Sequence, residues 1–145
     1  MPELSPELLS AYFQSRYAVQ CAEGPACFRI GDEILPPCLR RPFALITAWN
    51  PRSQPLDRAA NDARQRLLLE QLAARGWSHL PARGEGCDGW CEESAAVFGL
   101  RLDEALELAR VFGQHAIVWG DGACAWLYLS SGERVEQGVH PGLRQ

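Results

Sequence analysis

The sequence predicts an α+β fold: a two-layer sandwich on a ferredoxin-like βαββαβ core, with a helix and β-hairpin added at the N-terminus and a strand added at the C-terminus. Three observations carry that expectation. From Pro42 to Trp119 the hydrophobic patterns run strand, helix, strand, strand, helix, strand. Each helical pattern stops at a glycine, Gly76 or Gly113, where a left-handed cap is favoured. The pair Pro36-Pro37 separates this run from what precedes it, because successive prolines do not fit a sheet ladder. At 145 residues the chain is long enough for one domain with its own core. Residues 1–145 are therefore read as a single domain: 1–40 the N-terminal helix and hairpin extension, 42–120 the core, 123–129 the added strand and 130–145 a tail.

Ser5-Pro6-Glu7 starts the first helix, with Ser as N-cap, Pro at the first helical position and Glu at the positive helix end. Leu8, Leu9, Tyr12 and Phe13 give it an apolar face to about Arg16. Tyr17 to Cys21 and Cys27 to Ile30 read as a hairpin across Glu23-Gly24-Pro25. The central strand is the apolar run from Pro42, which ends abruptly in Trp49-Asn50-Pro51; Asn50 to Pro55 is a loop by composition. Leu56 to Arg75 favours helix and Trp77 to Leu80 a short strand, while Ala82 to Gly89, with three glycines, reads as a flexible loop. Trp90 to Phe98 is a strand with a polar first half, and Asp103 to Phe112 an amphipathic helix with acids in its first turn. His115 to Trp119 and Ala123 to Leu129 are strands joined by Gly120-Asp121-Gly122.

The longest apolar run falls far short of the roughly 20 residues that cross a bilayer, so no membrane association is expected. The acidic N-terminus lacks a basic segment followed by an apolar one, which points to the cytoplasm. Six cysteines, Cys21, Cys27, Cys38, Cys87, Cys91 and Cys124, are accordingly expected as reduced thiols. Cys87-x3-Cys91 with His79 and His115 is a weak metal pattern, since zinc sites show two tight pairs, and no metal or other cofactor is expected. A net charge of −4 argues against bulk nucleic-acid binding. All basic residues are arginines, and they are unevenly spread: from Arg40 to Arg83 there are eight against three acids, or +5, and elsewhere six against fifteen, or −9. That segment is suited to an anion.

In the ferredoxin-like order the Pro42 strand lies between the strands starting at Trp90 and His115, both antiparallel to it. Thr47, Trp49, Asn50, Trp90, Glu92, Glu93, Gln114 and His115 then meet at one edge, beside Asn61 and Arg64 at the helix start. Each has a plainer reading. Asn50 before Pro51 suits an Asx-type turn, a lone His115 is more often structural than a base, and most tryptophans are core. Alternation sends Glu92 and Glu93 to opposite faces, and a covered carboxylate should be paired, with Arg64 or Arg52 the chosen partner. Ser94 lacks the Gly-x-Ser-x-Gly context of a nucleophile elbow.

Ile46-Thr47-Ala48-Trp49-Asn50-Pro51, Asn61 with its leucine-rich helix, Trp90-x-Glu92-Glu93-Ser94 and Phe112-Gly113-Gln114-x-Ala116 together resemble a family of short bacterial proteins known only as domain of unknown function 3293. The resemblance implies a single small bacterial domain and no established activity, substrate or cofactor.

Three functions compete on the sequence. The first is a binding or regulatory module for an anionic ligand, a nucleotide, a nucleic-acid segment or an acidic peptide, using Thr47, Trp49, Asn50, Arg52, Asn61, Arg64, Trp90, Glu92 and Gln114. The second is a structural interaction domain with a buried polar network and a protein partner. The third is a hydrolase or transferase with Glu92 or Glu93 as general base and His115 as a weaker catalytic candidate.

Overall fold

The computed structural model describes residues 5–86 and 89–136. Helix α1 (Pro6–Gln14) begins as its sequence dictates, with Ser5 Oγ accepting a hydrogen bond from the Leu8 N–H at 3.2 Å. Strands β1 (Arg16–Cys21) and β2 (Gly24–Phe28) follow, and a 3-10 turn at Pro37–Leu39 leads into β3 (Pro42–Ile46). After a second 3-10 turn at Pro51–Ser53 comes α2 (Arg58–Arg75), capped by the Asp57 side chain and ended by Gly76 at φ 72°. Strands β4 (Ser78–Glu85) and β5 (Cys91–Phe98) precede α3 (Leu102–Val111). The rest is β6 (Ala116–Asp121), β7 (Ala125–Leu129) and the two-residue β8 (Arg134–Val135). No described helix is long and apolar enough to cross a membrane.

The eight strands form one antiparallel, curled sheet in the order β2-β1-β4-β5-β3-β6-β7-β8. As expected from the sequence, β3 is flanked by β5 and β6, with Ile46 opposite Ala95 and Leu45 opposite Val118. The sheet is larger than the expected core because the N-terminal hairpin is part of it. Strand β1 pairs with β4, from Arg16 opposite Glu85 to Val19 opposite Ala82.

That pairing corrects the reading of Ala82 to Gly89 as a loop: β4 runs on through Pro81 to Glu85. The glycine that signalled flexibility makes room, since a Cβ on Gly84 would lie 3.3 Å from the Tyr17 ring. The two-layer expectation is corrected as well. The continuous apolar run of β3 is buried on both faces, as such runs are when both sides are covered. Ala44 and Ile46 pack with Ala95 and Val97 against Leu68 and Leu72 of α2 and Leu106 and Ala109 of α3. Phe43 and Leu45 point the other way, into a core shared by Leu9 and Phe13 of α1, Leu35 and Leu39 of the β2–β3 connection, and Leu127 of β7.

Cys21 and Cys38 are joined in a disulfide, which overturns the expectation of six free thiols. The sequence separates them by 17 residues, but the 3-10 turn folds Cys38 back over the end of β1. Cys27, Cys91 and Cys124 are free, and Cys87 lies outside the described residues. Among the described residues no group of three or more His, Cys, Asp or Glu side chains could hold a metal ion.

Gly120 sits opposite Phe43 in the β3–β6 register, and a Cβ there would overlap the Phe43 ring. Phe43 is fully buried and has nowhere to retreat. Gly120→Ala is therefore expected to destabilise the protein by about 1–3 kcal/mol in urea unfolding, the range for overpacking a core; an unchanged midpoint would mean that Phe43 has room to turn.

Candidate functional site

The chain leaves β3 through Thr47-Ala48-Trp49-Asn50, and a net of side chains fixes this exit. Asn50 adopts the left-handed conformation (φ 47°, ψ 61°), which asparagine tolerates because its short amide can bond locally. Its N–H donates to Asn61 Oδ1 at 2.9 Å, and its Oδ1 accepts from Asn61 Nδ2 at 2.9 Å and from the Leu56 N–H at 3.0 Å. Its Nδ2 donates to Glu92 Oε2 at 2.8 Å. Gln65 Oε1 accepts from the Ala48 N–H, and Arg64 clamps two carbonyls, Ala48 O at 2.7 Å and Phe112 O at 2.6 Å. Gln114 Nε2 donates to Trp49 O at 3.0 Å, while Thr47 Oγ1 donates to Glu93 O and accepts from the Trp49 N–H.

Asn50, Arg52 and Ser53 are the non-glycine residues with positive φ among those described. Clustering of such conformations marks a loop whose shape the surroundings impose. The Arg52 N–H donates to Gly113 O at 2.6 Å, tying the loop to the end of α3.

On the face of the sheet covered by α1, a cavity of about 230 Å³ opens beside this loop. The floor is Leu45 of β3 and Thr47 just past its end, Glu92 and Ser94 of β5, and Ala116 and Val118 of β6; Tyr12 and Tyr17 form one wall. Exposed Pro55 and Trp90, the latter 46% accessible, stand at its rim. Strand alternation places Glu92 and Ser94 here and turns Glu93 to the opposite face.

Burial in these mostly apolar surroundings raises the Glu92 carboxyl to about 7, against which the Asn50 hydrogen bond works in the opposite sense. The Tyr12 and Tyr17 phenols are both pushed up, first by burial, with Glu92 adding to the shift of each. At neutral pH the cavity thus holds two neutral phenols and a carboxyl that keeps its proton far above the ordinary carboxylate range. No arginine or histidine is among the described residues lining it.

The sequence-derived candidates divide. Asn50, Glu92, Thr47, Gln114 and Trp90 do line the cavity. Asn61 and Arg64 lie behind it, spending their polar groups on the backbone and on Asn50. The expected pairing of a covered carboxylate with Arg64 or Arg52 is not found: Glu92 has an amide donor instead, because the Arg64 fork is filled by two carbonyls. Trp49 is buried and turned away from the cavity, with the Arg58 guanidinium 5.2 Å from its ring. Arg52, Glu93 and His115 are not in the lining; His115 is buried, and its carbonyl accepts from the Ser130 N–H.

Sequence reasoning missed Tyr12, Tyr17 and Leu8, which were assigned to a separate N-terminal unit, and considered Ser94 only as a nucleophile. A signal was available in the two-sided burial of β3, which demands a cover on both faces. Gln65 also went unnoticed, as a polar residue spaced one turn from Asn61 on the packed face of α2. No curated protein and no solved structure matches the chain. Residues 46–117, from the end of β3 through Asn50, α2, Glu92 and Gln114 into β6, match the model of the family described as "Protein of unknown function (DUF3293)".

Proposed function

We propose that the protein is a small-molecule binding module whose ligand occupies the cavity between α1 and the sheet. One observation carries this reading: an apolar hollow opening beside an exposed tryptophan, with a half-buried carboxyl and a few hydroxyl and amide groups converging on it. Its 230 Å³ holds on the order of eight water-sized groups at ~30 Å³ each, the scale of a small organic molecule. The Asn50, Asn61, Arg64, Gln65 and Gln114 net is the frame that holds one wall in place. Strands β4, β5, β3 and β6 with α2 and α3 are read as a ferredoxin-like unit, the remaining strands and α1 closing the cavity over it.

The anionic ligand favoured by charge distribution alone finds no support in the lining, since Arg52 and Arg64 do not reach it. A catalytic reading has Glu92 near the pH of general acid–base work, without Glu93 or His115 beside it.

Screening a fragment library by amide chemical shifts tests the binding reading. Hits are expected to move Leu45, Glu92, Ser94 and Ala116 together, and Ser94→Phe, which fills the floor, should abolish them. Hits confined to other surfaces, or none at all, would refute it.

A further inference from the structure

We infer that the ligand of this cavity is an organic ammonium ion, paired with Glu92 and enclosed by the rings of Tyr12, Tyr17 and Trp90. The inference rests on the cavity being a ligand site and names the ligand's chemistry.

Charge is the first consideration. A carboxylate removed from water needs a counter-charge or several strong donors. Glu92 receives a hydrogen bond from the neutral Asn50 amide, and the described lining of the cavity contains no arginine or histidine. The nearby ion pairs Arg83–Glu85 and Arg58–Asp62 lie on the surface, and Arg64 is held by carbonyls on the far side of β3. A cation arriving with the ligand supplies what the fold leaves out.

The rings are the second. Tyr12, Tyr17 and Trp90 line the cavity together with Glu92. The faces of aromatic rings carry negative partial charge and attract cations within about 6 Å, and a group of such rings is the usual receptor for alkylated ammonium groups. Both phenols are neutral at pH 8, burial only raising them further, so neither ring repels Glu92 as a phenolate.

An anion would meet Glu92 and no positive side chain among the described lining, whereas a cation meets attraction from Glu92 and from the ring faces.

Three probes of nearly equal size separate the possibilities: 2-phenylethylammonium, 2-phenylethanol and phenylacetate. Affinity is read by titration calorimetry at pH 8 and location by amide shifts. The ammonium probe is expected to bind at least about tenfold more tightly than the alcohol, tenfold being ~1.4 kcal/mol, with phenylacetate weakest. Glu92→Gln should remove that preference while leaving the alcohol's affinity within about twofold, since it deletes the charge and keeps the shape. Trp90→Ala, at an exposed position, should weaken the ammonium probe more than the alcohol. Below pH 7 the bound cation should hold Glu92 ionised, so binding releases a proton, seen as a heat that depends on the buffer; of the groups facing Glu92, Tyr12 and Tyr17 titrate too far above this range to contribute. If the alcohol or phenylacetate binds in the cavity as well as the ammonium ion, the cation assignment is wrong and the cavity reading stands. If none of the probes moves the cavity amides, both fall.

Discussion

Glu92→Gln should make the protein more stable by about 3 kcal/mol at pH 8 and change it little at pH 4. The raised carboxyl pKa, about 7 against an ordinary 4.5, means that the folded state holds this proton more tightly than the unfolded chain does. Stability from the group is therefore fully present below about pH 4.5, is lost as pH rises through about 7, and stays lost above. A difference of about 2.5 units at 1.36 kcal/mol each gives the ~3 kcal/mol. Glutamine is neutral at every pH and its carbonyl can still accept from Asn50 Nδ2, so the variant escapes the loss. Urea unfolding of both proteins from pH 4 to 9 measures it. Two parallel stability curves would show that Glu92 ionises as freely in the folded protein as out of it.

Asn50→Ala is expected to cost about 2–4 kcal/mol. The substitution asks alanine to hold a left-handed conformation, at ~1–2 kcal/mol. It also removes one acceptor from buried Asn61 Nδ2, which keeps Leu56 O, and the donor to the half-buried Glu92 carboxyl, a loss on the order of one unmet buried group at ~1–3 kcal/mol, while the exposed Leu56 N–H turns to water. Asn50→Gly removes the same hydrogen bonds but tolerates the backbone, so it should be milder than alanine by roughly 1 kcal/mol. Equal losses for the two variants would show that backbone conformation plays no part, and a loss below 0.5 kcal/mol for both would show that water replaces the net. Removing the Asn50 donor should also push the Glu92 carboxyl further up, making the pH dependence of Asn50→Ala steeper than that of the parent protein.

The convergence of Asn50, Glu92 and Gln114 was legible because it depends on strand order, and strand order follows from alternating strands and helices with short connections. Once β3 lies between β5 and β6, its end must sit beside their beginnings. The assignment of Glu92 rather than Glu93 to the cavity was beyond reach, since parity needs a register and the polar start of β5 gives no apolar pattern to fix one. Arg64 misled for a related reason: an arginine fork suits carboxylates, but carbonyls freed where β3 ends and α3 stops claimed it first. The other wall was hidden because the paired residues of β1 and β4, from Val19 with Ala82 to Arg16 with Glu85, lie far apart in sequence, and no local pattern announces such a pairing. The Cys21–Cys38 link likewise depends on a chain reversal, which proline-rich composition allows without specifying.

The curl of the sheet bears on how the molecule keeps to itself. An open sheet leaves a row of unpaired backbone groups at each margin, onto which another chain can add. Here Val19, Ala26 and Phe28 from one margin share a core with Ala125, Leu127 and Val135 from the other, and the Gly31 N–H, just past β2, donates to Ala125 O. Among the described residues, one outermost strand is two residues long and the other carries Pro25, which has no N–H to offer. Curling inward and ending on weak templates, the sheet gives an incoming strand little to continue.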